Sequence, residues 1–420
     1  MQNHNFHDVS PGPLNHCQIT GGDDLELVVD LGHQPLCDSL LSAEDLNKPE
    51  STFPLRIMRS TSLGHSQLDF VVDPTEVFHT GYPYRCGVTK EVVQHHTDLA
   101  TSCVPRLGLS AGDFVVDIGS NDGTLLTAFK GLGMKVLGVE PTDVADYAIE
   151  TNEVASIKRF FTEEVAREIV DSEGKANLVT ATNVFAHVAS LGSLLRGIKN
   201  LLRDDGFFLF ENHYMIDILK MNQYDTFYHE HIRNYSLKSL VRLFEYYEMF
   251  VIDAEVVERY NGSIRVTVSN RPMTAKESVG KILDMEAEFG LCQAGPWDQF
   301  KEAIYTSKDD LLELLLDLKR KQQHVVGNSC PGRCSTLLNF CGIGPDMIPY
   351  IAEQPHSPKL GLFLPGKHIP VISNEILFRE QPDYVLLLAW HYAEPIMALL
   401  RQAGLRSKFI VPLPSVRIVN

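Results

Sequence analysis

The sequence lacks long apolar runs and has few cysteines. A bilayer-spanning helix needs about 18 or more consecutive apolar residues, and because no such run occurs we expect no membrane partner. Eight cysteines in 420 residues are too sparse for a disulfide framework and favour a reduced, intracellular chain. The amino-terminal residues do not show the basic-then-apolar order of a signal peptide. We therefore expect a cytoplasmic protein.

Basic residues are outnumbered by acidic ones. The 37 Lys and Arg residues oppose 54 Asp and Glu residues, which gives a formal net charge of −17. Such a surface repels phosphate backbones, so nucleic acid is not an expected partner. Apolar residues make up 44% of the chain and charged residues 22%, which excludes a disordered or fibrous protein. Since single cores stop growing at about 250–300 residues, the length predicts two or three domains.

The order of predicted strands and helices divides the chain into four parts. Short strands separated by turns predict a small β-rich module in residues 1–80. Apolar strands that alternate with amphipathic segments predict a parallel sheet covered by helices in residues 81–271. Helical spacing dominates residues 272–323, and a second α/β domain is expected over residues 324–420. The predicted fold class is therefore α/β.

The first strand of the second part, FVVDIG, leads into a loop that contains Gly119 and Gly123. Glycines let a backbone approach a ligand closely, and Asp117 lies at the carboxyl end of the strand, where open α/β sheets bind ligands. The loop has neither the GxGxxG nor the GK[ST] pattern of common phosphate sites. Glu140 ends the next strand, where a carboxylate can accept ribose hydroxyls. The pattern is similar to the S-adenosylmethionine site of Rossmann-like methyltransferases, and a plain strand-to-helix turn is the alternative.

Titratable side chains are concentrated in two segments. NVFAH places Asn183 and His187 on one face of a helical turn, and FYHEHIRNYS brings Tyr228, Glu230 and His231 together. This density indicates a functional site. HEH does not have the HExxH spacing of helical zinc sites, whereas a neutral imidazole is suited to accept a proton near pH 7. Histidines that only satisfy buried backbone groups are the alternative.

Together with later motifs, these segments resemble one family. The chain contains, in the order seen in S-adenosylmethionine-dependent sugar C-methyltransferases, the segments VVDIGSNDGTLL, GVEPT, NVFAH, YDTFYHEHIRNYSL, NGSIR, TLLNFCG, LPGKHIP and DYVLLLAW. Members of that family act on nucleotide-linked keto-deoxysugars. The resemblance covers nearly the whole chain. It implies a Rossmann-like class I methyltransferase domain, S-adenosylmethionine as the methyl donor, and a small-molecule nucleotide-sugar substrate.

The resemblance also implies roles for individual residues. His231 would remove the proton next to the sugar ketone, and the resulting enolate carbon would attack the sulfonium methyl in line. The other residues expected to act in catalysis are Tyr228, Glu230, His187, Asn183 and one tyrosine of GYPY, for which Tyr84 is preferred over Tyr82. The expected donor contacts are Asp117, Gly119, Asn121, Gly123, Glu140 and Asn183. The expected substrate contacts are Tyr82, Arg265, Arg333, Lys367 and His368.

The chain departs from the family in its amino-terminal module. Family members usually carry a zinc site there, made by two CxxC pairs. Only Cys17 remains in this chain, and the other three positions are occupied by Thr20, Ser60 and Leu63. Because one thiolate cannot form a tetrahedral site, we expect no metal and no zinc cofactor. A weak site rescued by His33 and His65 is the alternative.

The carboxy-terminal part departs from the family as well. Arg333 stands where the family has Lys, Cys334 where it has Gly, and His391 where it has Asn. Arg can bind phosphate oxygens with two parallel hydrogen bonds, so Arg333 and Lys367 are the cations expected at the anionic substrate. The cysteines near this loop are expected to be small buried residues rather than metal ligands or redox groups: Cys330, Cys334 and Cys341.

These departures keep other functions open. A methyltransferase of the same fold could act on a different small-molecule acceptor, or the chain could be a non-catalytic relative that binds ligand. A Rossmann-like oxidoreductase is a further alternative, although the glycine spacing disfavours it. The sequence makes no prediction of the oligomeric state.

Overall fold

A computed structural model describes residues 5–79, 81–258 and 262–420. Its amino-terminal part is a small module built around an antiparallel sheet in which β2 pairs with β3 and β3 with β4. Side chains of β3 alternate between buried and half-buried, as expected for a sheet with one face on a core. The elements of this module are β1 (Gly12–Pro13), β2 (Leu25–Gln34), β3 (Phe53–Ser60), β4 (Ser66–Leu68), β5 (Phe70–Val71) and α1 (Pro74–Val77).

The central part is a mixed sheet with helices on both faces. Its elements are α2 (Lys90–Arg106), β6 (Phe114–Ile118), α3 (Thr124–Gly131), β7 (Lys135–Val139), α4 (Val144–Glu150), β8 (Ser156–Ile157), α5 (Glu163–Glu173), β9 (Ala176–Thr182), α6 (Leu191–Leu201), β10 (Leu202–His213), α7 (Met215–Lys220), β11 (Arg233–Asn234), α8 (Leu237–Glu245), β12 (Phe250–Val257) and β13 (Ser263–Ser269). The strand order is β12-β13-β10-β9-β6-β7-β8. Strands β10 to β8 are parallel, and β12 and β13 are antiparallel.

This arrangement confirms the predicted Rossmann-like class I methyltransferase fold. Every residue of β6 is buried, which explains why this strand reads as a continuous apolar run. The antiparallel pair β12 and β13 at the sheet edge was absent from the sequence prediction. Residue 261, part of the NGSIR segment, lies outside the described residues.

The carboxy-terminal part begins with two helices and continues into a second sheet. Its elements are α9 (Glu277–Phe289), α10 (Ala294–Arg320), β14 (Val325–Asn328), α11 (Arg333–Cys341), β15 (Ile351–Glu353), β16 (Val371–Ser373), α12 (Glu375–Glu380), β17 (Tyr384–Leu387), α13 (Ala393–Gln402), β18 (Lys408–Val411) and β19 (Arg417–Val419). The sheet order is β16-β15-β14-β17-β18-β19. Among these described strands, neighbouring strands are parallel except for β18 and β19, which are antiparallel. The division of the chain after residues 80, 271 and 323 stays a prediction.

The parts of the chain share one apolar core. A continuous cluster of buried side chains includes Cys17 of the amino-terminal module, Phe210 of the central sheet and Leu413 near the carboxyl end. In addition, β11 of the central part pairs with β4 of the amino-terminal module. The segment that precedes β11 is thereby fixed between the parts. Within the described ranges, no helix is both long and apolar enough to cross a bilayer.

The amino-terminal module brings the expected zinc-ligand positions together without a zinc-ligand set. Asp24 Oδ2 accepts a hydrogen bond of 2.6 Å from Ser60 Oγ, and Asp24 Oδ1 accepts one of 3.2 Å from Thr20 Oγ1. The backbone N–H of Leu63 donates to Ser60 Oγ at 3.2 Å. A carboxylate therefore joins the two turns that a metal would otherwise join. Although burial raises the pKa of Asp24, hydrogen bonds from Ser60 and Ser62 lower it to about 2.

The remaining thiol and the two histidines do not complete a metal site. Cys17 Sγ lies 3.8 Å from His65 Nε2, and burial raises the pKa of Cys17. Burial also lowers the pKa of His65 to about 3, and His33 is exposed. Among the described residues, neither histidine forms a group of close potential metal ligands with Cys17. One thiol, two hydroxyls and a leucine do not fit tetrahedral zinc.

We predict that Asp24, rather than a metal, holds this module together. Asp24→Asn should lower the free energy of unfolding by about 1–3 kcal/mol, because hydrogen bonds to a charged group are lost. Asp204→Asn, at a carboxylate that is 99% exposed, is the matched control and should change little. Thermal unfolding with and without a chelator, together with elemental analysis, tests this prediction. Stoichiometric zinc with a chelator-induced loss of stability would contradict it.

Candidate active site

The glycine loop between β6 and α3 lies at the carboxyl edge of the central sheet. Gly119 and Gly123 have φ values of +65° and +76°, and a side chain at Gly119 would overlap Val184. Only glycine fits this turn without strain. Glu140, which follows β7, accepts a hydrogen bond of 3.0 Å from the backbone N–H of Asn121. The loop and the carboxylate predicted to bind the donor therefore lie together.

Asp117 lies below this loop rather than in it. Its side chain is 2% exposed, and Oδ1 accepts a hydrogen bond of 2.6 Å from Thr180 Oγ1 of β9. Burial raises the pKa of Asp117 to about 7. The carboxyl group thus links two adjacent strands beneath the loop. A contact between Asp117 and the donor, expected from its place at the carboxyl end of the strand, stays a prediction.

The GYPYRCG segment covers the glycine loop. The backbone N–H of Cys86 donates to Asn121 Oδ1 at 2.8 Å, and Asn121 Nδ2 donates to the carbonyl of Tyr84 at 3.1 Å. The backbone N–H of Gly87 donates to Asp122 Oδ2 at 2.7 Å. The side chain of Asn121, which was predicted to contact the donor, instead fixes this covering segment to the loop.

The YHEH motif presents a neutral histidine whose basic nitrogen accepts a hydrogen bond from a tyrosine of the same motif. His231 Nδ1 lies 2.7 Å from the carbonyl oxygen of Thr226, so Nδ1 carries the ring hydrogen and donates it. The lone pair of Nε2 then accepts a hydrogen bond of 3.0 Å from Tyr228 Oη. Burial lowers the pKa of His231 to about 4. At neutral pH this side chain is therefore an unprotonated base.

Two further histidines surround His231. The ring centroid of His187 lies 4.9 Å from that of His231, and the centroid of His213 lies 5.1 Å from it. Burial, and then the nearby His231, lower the pKa of both residues well below the ordinary range. His213 ends β10 and was missed by the sequence analysis. Its position at the carboxyl end of a predicted strand was a signal that could have identified it.

Unsatisfied polar atoms mark the same region. His187 Nε2 and Asn183 Oδ1 are buried and have no hydrogen-bond partner among the described residues. Asn183 also has a φ of +56°, which is uncommon for a residue other than glycine. Buried polar groups without partners are costly unless a ligand or water completes them. That both residues contact the acceptor stays a prediction.

Glu230 lies at a junction of all parts of the chain. Its carboxyl group accepts hydrogen bonds from Tyr82 Oη at 2.9 Å and from Cys37 Sγ at 3.3 Å. Lys359 Nζ forms a 2.8 Å ion pair with Asp38 beside them. Burial, and then Asp38, raise the pKa of Glu230 to about 8. The sequence analysis missed Cys37, Asp38 and Lys359, for which no local motif gives a signal.

The contacts of the two tyrosines of GYPY favour Tyr82 over Tyr84 as the tyrosine of the proposed acceptor site. Tyr82 is the residue whose hydroxyl reaches Glu230. The side chain of Tyr84 is 41% exposed, and its backbone carbonyl is bound by Asn121. The two tyrosines have the same chemistry, so only the path of the backbone distinguishes them. The acceptor site described below therefore includes Tyr82 instead of Tyr84.

Two predicted substrate contacts are paired with carboxylates of the protein. Arg265 Nε bonds Glu211, and Arg265 Nη1 bonds Glu255 at 2.9 Å. His368 Nε2 bonds Glu50 of the amino-terminal module. Charged groups that are buried or half-buried are costly unless they have partners, which explains these pairs. Arg265 and His368 are thus engaged within the protein instead of being open to an anionic substrate.

Arg333 is also buried and paired. Its Nη2 lies 2.8 Å from Asp225 Oδ1, so the expected phosphate contact is replaced by an internal ion pair. Lys367 is half-buried, and it forms no ion pair with the described residues. Cys330, Cys334 and Cys341 are buried as expected. Of the proposed cations, Lys367 is the one without a protein carboxylate among the described residues.

Comparisons with known proteins agree with this architecture. Family models match residues 17–78 as a putative zinc binding domain, residues 93–251 as a methyltransferase domain and residues 259–414 as a C-methyltransferase C-terminal domain. In the first of these stretches, the family ligand position that keeps a cysteine is Cys17. The match thus identifies the module but does not supply the missing thiolates.

Individual relatives are similar over different lengths. The chain is 34% identical over 416 residues to C-methyltransferase NovU of Streptomyces niveus, covering 97% of each chain. It is 27% identical over 130 residues to a ubiquinone biosynthesis O-methyltransferase of Azorhizobium caulinodans, covering 30% of this chain and 50% of that one. A solved structure of 1,6-didemethyltoxoflavin-N1-methyltransferase from Burkholderia thailandensis is 17% identical, covers 44% of this chain and 83% of that one, and has a TM-score of 0.35.

The likeness to NovU extends over almost the full length of both proteins, and a model for C-methyltransferases matches the carboxy-terminal part. The central sheet has the methyltransferase fold, with the glycine loop and Glu140 at its carboxyl edge. The chain therefore belongs to the S-adenosylmethionine-dependent C-methyltransferases.

Proposed function

We propose that this enzyme methylates a ring carbon of a nucleotide-linked keto-deoxysugar after forming an enolate. The observation that carries the proposal is the state of His231, a buried neutral imidazole whose Nε2 lone pair is available as a base. Carbon becomes nucleophilic when a proton is removed next to a carbonyl group. A base that is unprotonated at neutral pH is the group that this step requires.

The donor would bind at the glycine loop. The absence of side chains at Gly119 and Gly123 leaves room for close approach to the backbone. Glu140 Oε1 accepts two hydrogen bonds from Thr142, and Oε2 accepts one from Asn121, so Oε2 keeps one lone pair for a ribose hydroxyl. When bound, S-adenosylmethionine supplies an electrophilic methyl group on a positively charged sulfur. The loop fits a ligand that has no phosphates and carries a positive sulfonium, because the loop residues place no positive charge beside the sulfur.

In the proposed mechanism, Nε2 of His231 accepts the proton from the carbon next to the ketone. Tyr228 Oη donates a hydrogen bond to Nε2 at 3.0 Å, and in this mechanism it turns towards a substrate oxygen when the acceptor binds. The ring hydrogen on Nδ1 stays bound to the Thr226 carbonyl, so the imidazolium that forms is stabilised at Nδ1. His187 Nε2, which has no hydrogen-bond partner in the described part of the chain, is available to the substrate and the developing enolate.

Glu230 supports the same step by its protonation state. With a pKa of about 8, the carboxyl group is mostly neutral near pH 7. A neutral group beside the pocket places no negative charge next to the developing enolate. The hydroxyl of Tyr82 then connects this carboxyl group with the segment that covers the glycine loop.

A second candidate acceptor is a small ketone without phosphates. It is favoured by one observation, namely that Arg333, Arg265 and His368 are all paired with carboxylates of the protein. If keto-deoxysugar nucleotides fail to raise the melting temperature while an unphosphorylated ketone does so, this second candidate is correct.

We predict that the enzyme transfers isotopically labelled methyl groups from S-adenosylmethionine to carbon of a keto-deoxysugar nucleotide. His231→Gln should lower turnover by about 10²–10⁴-fold, because the base is lost, while donor affinity stays unchanged. The control is His356→Gln, at an exposed histidine of the carboxy-terminal part, which should behave as the wild type. Nuclear magnetic resonance of the product locates the label. Label on oxygen, or normal turnover of His231→Gln, would refute the mechanism.

We also predict an unusual pH dependence. The base form of His231 is lost as the pH falls through about 4, and the neutral form of Glu230 is lost as the pH rises through about 8. A plot of kcat/KM against pH should therefore fall on an acidic limb near 4 and an alkaline limb near 8. Between these limbs kcat/KM should not change, even near pH 6.5, where an ordinary histidine titrates. Glu230→Gln should remove the alkaline limb. An acidic limb near 6.5 in the pH profile of kcat/KM would show that burial does not depress His231.

A further inference from the structure

The segment that precedes the YHEH motif is fixed to the carboxy-terminal part at both of its ends. Asn222 Nδ2 donates to Ser307 Oγ of α10 at 3.1 Å and to the carbonyl of Pro414 at 3.2 Å. At the other end, Thr336 Oγ1 of α11 donates to the carbonyl of Phe227 at 3.0 Å. The backbone between these two anchors has little freedom to move independently of the carboxy-terminal part.

Asp225 is the central contact of this segment. It is fully buried, and its two carboxylate oxygens have different partners from the carboxy-terminal part. Oδ1 accepts from Arg333 Nη2 at 2.8 Å, and Oδ2 accepts from Trp390 Nε1 at 2.7 Å. The Arg333 guanidinium also donates to Gln223 Oε1 at 3.1 Å and lies 5.2 Å from the Trp390 ring centroid. Charge-assisted hydrogen bonds of this kind fix geometry strongly.

The next residue after Asp225 contacts the proposed base. The Thr226 carbonyl accepts the Nδ1 hydrogen of His231 at 2.7 Å, and Thr226 Oγ1 lies 3.4 Å from the same nitrogen. Asp225 and Thr226 belong to one turn of 3₁₀ helix, Tyr224–Thr226. The direction of the Thr226 carbonyl is therefore set by the anchoring of Asp225.

We propose that Asp225 is a positioning residue which, through the Thr226 carbonyl, fixes the ring orientation and tautomer of His231. Arg333 and Trp390 hold Asp225 in place, so the carboxy-terminal part controls the geometry of the base without touching the reacting atoms. The inference rests on the proposed function of His231 as the base. It also gives Arg333 a role in the chemistry that differs from phosphate binding.

The physical consequence follows from the two nitrogens of the imidazole. If the Thr226 carbonyl moves away, the tautomer with hydrogen on Nε2 is no longer disfavoured, and that tautomer cannot accept a proton from substrate. Loss of the Asp225 charge would in addition leave the positive charge of Arg333 uncompensated near His231. Both effects reduce the fraction of enzyme that carries a correctly placed base.

The test compares two variants of the full-length enzyme with one control. Trp390→Phe removes a single hydrogen bond to Asp225 and keeps an aromatic ring near Arg333, whereas Asp225→Asn removes the charge. Tyr350→Phe is the matched control, since it removes the 2.6 Å bond from a buried tyrosine to Glu380 elsewhere in the same part of the chain. Steady-state kinetics give kcat and the KM of each substrate. Nuclear magnetic resonance of ¹⁵N-labelled histidine, with the His231 signal identified by its loss in His231→Gln, reports the tautomer without any acceptor.

We expect Trp390→Phe and Asp225→Asn to lower kcat by about 10- to 100-fold, with an unchanged KM for the donor and a partial shift of the His231 signal to the other tautomer. Tyr350→Phe should change neither quantity. A wild-type tautomer in both variants would overturn the proposal, even if their melting temperatures fall. If Asp225→Asn does not fold, Trp390→Phe alone decides. A failure of wild-type methyl transfer would instead refute the proposed function, because the tautomer readout does not need the acceptor.

Discussion

The hydrogen bond between His231 Nδ1 and the Thr226 carbonyl is the interaction on which the proposed chemistry depends. It places the ring hydrogen on Nδ1 and the lone pair on Nε2. Burial then keeps the imidazole neutral, because charging it in a pocket of low polarity costs free energy. A weak base results, yet its lone pair is present in almost every molecule at neutral pH. A base of this kind also needs an acceptor whose proton is already acidified by a carbonyl group, which agrees with chemistry at a ketone.

The architecture explains how this bond is held. On one side, β11 joins the segment after His231 to the sheet of the amino-terminal module. On the other side, Asp225 binds Arg333 and Trp390 of the carboxy-terminal part. The YHEH motif thus belongs to the central part in sequence but is supported from both neighbours. In the proposed mechanism, the methyltransferase fold provides the donor loop, and the two additional parts create the environment of the base.

Much of the fold was predictable because it depends on local patterns. The apolar runs of β6 and β9 are buried on both faces, and the acceptor histidines belong to short motifs. Contacts between distant segments left no comparable signal. Lys359 and Asp38 are 321 positions apart, and Arg333 and Asp225 are 108 apart. The sequence therefore indicated that Arg333 is a cation, but only the folded chain shows that its partner is a buried carboxylate. In the same way, the path of the backbone that separates Tyr82 from Tyr84 could not be deduced from two similar tyrosines.

The most direct measurement of the central claim is hydrogen exchange at the acceptor carbon in deuterated water, without methyl donor. In the proposed mechanism, proton removal by His231 precedes methyl transfer, so it can be observed by itself as deuterium entering the carbon next to the ketone. The account predicts that the wild-type enzyme exchanges this position and that His231→Gln does not. Equal exchange by both proteins, or no exchange above the uncatalysed rate by the wild type, would contradict it.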